Sequence, residues 1–213
     1  MPGTRDKILA AALEIADERG LAAVSMRSVG ERVGMSAMAL YPHVSNKEAL
    51  LDGVVDLLLA EQIPVVERLP ADADWWTRLE ALAHGVRDLA ARHPSAFSLL
   101  LARPSVTADA LRATDAVYRV LLDAGVPAAE VGRVERLVST FVLGYAASEV
   151  NGRFSKGTLS PRARRAQLAE EDIPGHYRIA DHLDRPIDWS AEFRADLRDL
   201  RVMVETIAAR NRR

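Results

Sequence analysis

The chain has 213 residues, no cysteine, and 28 Lys plus Arg against 30 Asp plus Glu, a formal charge of −2. The length suits one helical domain or a small domain packed on a larger one. The lack of thiols excludes disulfide frameworks, thiolate zinc sites and cysteine nucleophiles, and the small net charge excludes a protein that coats nucleic acid by bulk positive charge.

Helical spacing dominates and no stretch alternates like a strand, so an all-α fold is expected. No apolar run approaches the roughly 20 residues of a membrane span, and the N-terminal residues pass into a charged amphipathic pattern without the apolar core of a signal peptide. A cytoplasmic protein is expected.

The first helix opens at Thr4, read as its N-cap, carries Ile8, Ala12, Ile15 and Ala16 on one stripe, and stops at Gly20. A short helix follows Ser25, with Val29 and Val33 inward, and ends at Gly34, which can take a left-handed conformation. Ser36 then caps a third helix containing Leu40 and Tyr41. The spacing Ser45-Asn46-Lys47-Glu48 reads as a capping box that starts a longer fourth helix. Residues 63–74, with Pro64 and Pro70, look like a connection between a small N-terminal module and a larger C-terminal one. Helical patterns then run over 75–92, 94–102, 107–124, 127–150 and 190–210, punctuated by Pro94, Pro104, Gly125 and Pro127. Residues 151–188, rich in Gly and Pro, are expected to be mostly a mobile loop, with a short helix over 162–171.

Residues 25–43 have the layout of a helix-turn-helix, whose second helix enters the DNA major groove. With Leu40 inward, Ala37, Met38, Tyr41 and Pro42 face outward, where small and apolar side chains can meet thymine methyls. Ser36 starts this helix, and the Tyr41 hydroxyl and His43 imidazole can reach phosphates. Lys47, in the first turn of the next helix, adds a phosphate contact beside free backbone N–H groups. Arg27 is the candidate for a guanine contact. Pro42 removes one backbone donor and should distort the last turn of the recognition helix.

The order and spacing of Val33-Gly34-Met35-Ser36, Ala39-Leu40-Tyr41, His43-Val44, Asn46-Lys47 and Ala49-Leu50-Leu51 resemble the DNA-binding domain of the tetracycline-repressor (TetR) family. In the second half, Arg92-His93-Pro94, Ala102-Arg103-Pro104 and Phe141-Val142-Leu143-Gly144-Tyr145 are similar to the branch that contains the tetracycline repressors. The resemblance implies a DNA-binding domain over 1–48, a connecting helix and linker over 49–70, and a ligand-binding and dimerisation domain over 71–213. It also implies a homodimer through helices near 127–150 and 190–210, double-stranded operator DNA as partner, and a small-molecule effector that releases a repressor. By the same likeness, Ile63, Ala81, Gly85, Leu99 and Ser148 stand where tetracycline repressors contact drug and magnesium. Only Ser148 could reproduce such a contact, so magnesium-tetracycline is not the expected effector.

The effector contacts that the resemblance implies are His84, Leu99, Arg103, Tyr118, Leu137, Phe141 and Tyr145. Core packing alone explains the apolar and aromatic members, and His84 reads first as a satisfied histidine. His176, Asp181 and His182 lie in the irregular segment, where no metal site is expected. Arg162, Arg164 and Arg165 read as a solvated helix face. No cofactor is expected. A helical dimer without DNA binding, suggested by Pro42, and a small helical enzyme are the alternatives; for the enzyme there is no glycine-rich phosphate loop, nucleophile elbow or His-Glu-x-x-His.

Overall fold

The computed structural model describes residues 3–103, 107–155, 157 and 159–210, and among these it contains thirteen α-helices and no strand. Pro104, one of the expected punctuating residues, lies outside the described residues.

Helix α1 (Thr4–Arg19) buries Ile8, Leu9, Ala11, Ala12, Ile15 and Ala16. Its N-cap is Gly3 rather than Thr4, because the Asp6 carboxylate accepts the Gly3 N–H at 2.8 Å and draws one more residue into the helix. A 3-10 turn at Leu21–Ala23 leads to α2 (Met26–Val33), where the Ser25 hydroxyl accepts the Ser28 N–H at 3.0 Å. Gly34 takes φ 72 and ψ 30, a left-handed conformation that costs a side-chain-bearing residue about 1–2 kcal/mol. The chain then enters α3 (Ala37–Leu40), capped by Ser36 through the Ala39 N–H.

Helix α4 (Lys47–Ala60) is capped by Asn46 rather than Ser45: Asn46 Oδ1 accepts the Ala49 N–H at 2.8 Å. Starting one residue later breaks the Ser-to-Glu spacing of the expected capping box. Glu48 is thereby left for another partner.

The segment expected to be a linker contains a short helix, α5 (Ile63–Glu67), since Pro64 falls in its first turn, where the missing N–H has no helical partner to lose. The larger helices follow the sequence pattern to within one residue: α6 (Trp75–Arg92), α7 (Pro94–Ala102), α8 (Ala108–Asp123) and α9 (Ala128–Val150). Between α9 and the last helix stand α10 (Pro161–Arg165), α11 (Pro174–Arg178) and α12 (Ala180–Leu183), where a loop with one longer helix was expected. The reason is Arg165. It is 7% exposed, forks onto Asp184 at 2.8 and 3.2 Å and lies over the Tyr177 ring, so it staples the segment to itself. Helix α13 (Trp189–Arg210) closes the described chain.

Two apolar cores organise these helices. One joins Ile8, Val29, Leu40, Leu50 and Val54 of the N-terminal module to Leu89, Phe97, Leu99 and Ala146 from α6, α7 and α9. The N-terminal head therefore sits directly on the C-terminal body. The other core packs α6, α8, α9 and α13 through Trp76, Leu79, Leu121, Val134, Val138, Phe193 and Leu197. At roughly 25 cal/mol per Å² of buried apolar surface, these cores outweigh the exposed ion pairs around them. No helix among the described residues is long and apolar enough to cross a membrane.

Candidate DNA-reading face and effector cavity

Of the eight residues expected to touch DNA, Arg27, Ser36, Met38, Tyr41, Pro42, His43 and Lys47 are exposed and Ala37 is half-buried, while Leu40 between them is fully buried. Met38 is 75% exposed, an apolar side chain held in water by the rigid core beneath it. Helix α3 ends at Leu40, so Tyr41 stands just beyond it, not within it. Pro42 has no N–H for the Met38 carbonyl, and the chain turns instead, with the His43 and Val44 N–H groups both donating to the Leu40 carbonyl at 2.8 and 2.9 Å.

The cations of this face are differently engaged. Arg32 is spent on structure, since its guanidinium binds Glu14 at 3.1 Å and Glu18 at 2.5 Å and fastens α2 to α1. Arg27 is 87% exposed and holds only Glu31, one helical turn on, at 2.9 Å. Such an exposed pair contributes little, so the guanidinium can exchange Glu31 for a phosphate or a guanine edge.

Helix α4 carries Lys47 in its first turn and Leu59 near its last. Its 14 residues make a rod about 21 Å long. Arg103, at the end of α7, binds the Glu48 carboxylate, the Glu48 carbonyl at 3.3 Å and Asp52 Oδ1 at 2.6 Å, and Thr107 at the start of α8 donates to Asp56. Three carboxylates on one face of α4 are thus held by the body. Arg103, expected as an effector contact, is committed to α4.

A cavity of about 220 Å³ opens where α4 meets the body. Leu79, Leu82, Ala83 and Val86 line it from α6, Ala113, Thr114 and Val117 from α8, and Glu135, Val138, Ser139, Val142 and Leu143 from α9; Leu59, Gln62 and Leu100 complete it. Each helix contributes residues three and four apart, the stripe of one helical face. None of the seven expected effector contacts lines this cavity. Leu99 fills the core shared with the head, Tyr145 is buried in the other core, and Tyr118 and Phe141 pack against that core. His84 meets the Phe193 ring edge-on at 5.4 Å, and Leu137 points outward, 45% exposed. On α9, Leu137 and Phe141 stand one position from cavity residues Val138 and Val142, a turn of about 100° that carries them off the lining face.

Gln62 is the polar residue that sequence reasoning missed. It is 6% exposed, and its Nε2 donates weakly to the Gly85 carbonyl at 3.4 Å, whereas its Oε1 is buried without a hydrogen-bond partner. A buried carbonyl left unpaired costs about 1–3 kcal/mol. Gly85 makes the approach possible, because a Cβ there would stand 2.7 Å from Gln62 Oε1 and 3.1 Å from Val65 Cγ2. The other polar lining is the Thr114 hydroxyl and a hydroxyl–carboxylate pair, Ser139 Oγ donating to Glu135 Oε1 at 2.6 Å. A Glu and a Ser four residues apart on an otherwise valine-rich face of α9 were the available signal for the cavity.

Arg87 of α6 forks onto Glu149 of α9 at 2.6 and 2.7 Å and reaches Ser190 Oγ at 3.1 Å. The Arg87 hydrogen bonds hold the Glu149 carboxyl below its ordinary value, against the opposing effect of burial.

A helix-turn-helix head with an exposed reading face, fused through one rigid helix to a body that holds an apolar cavity, defines a ligand-responsive DNA-binding regulator. Residues 8–54 match the model for bacterial regulatory proteins of the tetR family, and residues 69–177 match that for the tetracyclin repressor-like C-terminal domain. The chain belongs to the TetR family and is a transcriptional regulator. It is 34% identical over 193 residues to an HTH-type transcriptional regulator of Saccharopolyspora erythraea, covering 89% of this chain and 79% of that protein. It is 31% identical to the class A tetracycline repressor from transposon 1721 of Escherichia coli over 164 residues, 76% of this chain and 74% of that one. Among solved structures, apo ActR from Streptomyces coelicolor superposes with a TM-score of 0.82 at 23% identity, over 99% of both chains.

Proposed function

We propose that the chain works in the cytoplasm as a homodimeric repressor, bound to operator DNA through Arg27, Ser36, Ala37, Met38, Tyr41, Pro42, His43 and Lys47. A small molecule in the α4–α9 cavity releases it. The observation that carries this reading is the span of α4. The helix begins at Lys47 on the reading face and brings Leu59 to the cavity, with Gln62 just beyond it. An occupant that prefers one position of α4 over another therefore changes where Lys47 and α3 sit, and differential affinity for the two positions is sufficient to shift the equilibrium.

Dimerisation is supported by unpartnered faces on α9 and α13. Leu137, Thr140 and Gly144 of α9, and Val202, Thr206 and Ala209 of α13, lie on faces with small or apolar residues, and Gly144 opens onto empty space. A two-fold axis through these helices would present two reading heads to successive major grooves. The repressor role is supported by the likeness to the class A tetracycline repressor.

Gel-shift titration against the DNA flanking the protein's own gene tests the reading. A discrete complex that survives excess random DNA is expected. Indifference to sequence at low salt overturns it.

A further inference from the structure

We infer that the cavity selects an uncharged, largely apolar molecule that offers one hydrogen-bond donor, a hydroxyl or an N–H, to the Gln62 carboxamide oxygen, and that it rejects anions. This deepens the proposed effector reading and rests on it for the consequence of binding, but not for the chemistry of binding.

The lining sets the class. Eleven of its fifteen residues are aliphatic, so an occupant gains chiefly by leaving water. Among the described residues the lining carries no cationic side chain, and its one ionisable group is Glu135, a carboxylate that repels an acid brought beside it. One Glu135 oxygen is already taken by the Ser139 hydroxyl, and the Thr114 hydroxyl donates to the Ala110 carbonyl at 3.0 Å. Gln62 differs from both. Its Nε2 makes only a weak 3.4 Å bond to the Gly85 carbonyl, and its Oε1, buried against Gly85, has nothing to accept. Buried polar groups are normally satisfied, and because Gln62 lines the cavity, a small turn of its weakly held amide brings the unpartnered Oε1 to a donor on whatever fills it. The volume of about 220 Å³ lies below the usual range for drug-sized pockets, roughly 300–1,000 Å³, so the occupant is compact.

Three probes of one shape separate the possibilities in calorimetric titrations of the full chain: 4-butylphenol, its methyl ether and 4-butylbenzoate. The phenol is expected to bind at least about tenfold more tightly than the ether, the difference made by one donor to a buried acceptor, with the benzoate weakest. Gln62→Leu should bind phenol and ether alike, and Gln62→Met makes the same test should the leucine variant misfold. Glu135→Gln, which can keep the Ser139 contact without the charge, should admit the benzoate. Equal binding of phenol and ether by the natural chain, a benzoate that binds best, a tenfold preference that survives in Gln62→Leu, or no binding of any probe overturns the inference. The operator complex is read separately by gel shift, so loss of probe binding with intact DNA binding rejects this inference alone. Selective probe binding by a chain that ignores DNA sequence rejects only the regulator's proposed operator role.

Discussion

Arg103 at the end of α7 clasps Glu48 at the start of α4, through both the carboxylate and the backbone carbonyl, one residue from the Lys47 of the reading face. With Asp52 as a second acceptor, this places a charged fastening between body and head where α4 begins. Removing it leaves Glu48 and Asp52 as like charges one helical turn apart.

Arg103→Ala is expected to lower stability by about 1 kcal/mol, a fall of roughly 2–4 °C in melting temperature for a chain of this size. Arg103→Lys should recover only part of the loss, because an ammonium cannot span two carboxylates and a carbonyl as a planar fork does. The deficit should shrink in 1 M salt, where charges are screened beyond about 3 Å. Scanning calorimetry at low and high salt reads all three, and an unchanged Arg103→Ala melt refutes the fastening.

Gly85→Ala tests the seat of Gln62. The added Cβ would stand 2.7 Å from Gln62 Oε1, so the amide must give up the Gly85 carbonyl and swing into the cavity, where it takes the space the phenol would fill. The gain of about 1 kcal/mol in helix propensity offsets much of the strain, so the fold should persist while 4-butylphenol binding drops at least about tenfold. Calorimetric titration of the variant checks this, with gel shift as the control for an intact head. Undiminished phenol binding would show that Gln62 does not guard the cavity.

The Arg87–Glu149 fork gives a pH signature. The Glu149 carboxyl is held below its ordinary value in the fold, so its contribution is complete above the unfolded value near 4.5 and is lost as pH falls through the depressed one. Glu149→Gln should cost about 1–2 kcal/mol at pH 7, discounted for the partial exposure of both partners, and progressively less as pH falls below about 4.5. Urea unfolding of both proteins from pH 7 to pH 3 measures the gap. A gap that stays constant over this range contradicts the assignment.

The head was legible because each of its boundaries rests on a local device: Ser25 and Ser36 as caps, Gly20 and Gly34 as stops, Leu40 as the inward residue. The long helices of the body were legible from apolar spacing and from the prolines at their starts. Local signals failed where neighbours compete. Asn46 displaced Ser45 as the cap of α4, Asp6 drew Thr4 into α1, and Arg165 gathered an apparent loop into short helices through the distant partners Asp184 and Tyr177. The cavity was illegible for a different reason. Its walls are Leu, Val and Ala residues that composition cannot distinguish from core, and of the conspicuous aromatics Phe141 is rotated off the lining stripe of α9 while Tyr145, beyond the lining residues, packs in the core. A rotation of one residue decides between lining and packing, and only the packed helices fix it.

The proposed reading face divides its labour between Lys47 and Arg27. Fluorescence anisotropy of the natural chain, Lys47→Ala and Arg27→Ala, on operator and on random duplex between about 50 and 200 mM salt, measures it in one experiment. Lys47→Ala should weaken both duplexes alike and reduce the salt slope by about 1, whereas Arg27→Ala should lose about 1–3 kcal/mol on the operator and little on random DNA. Equal losses on both duplexes for both variants, with unchanged slopes, would contradict it.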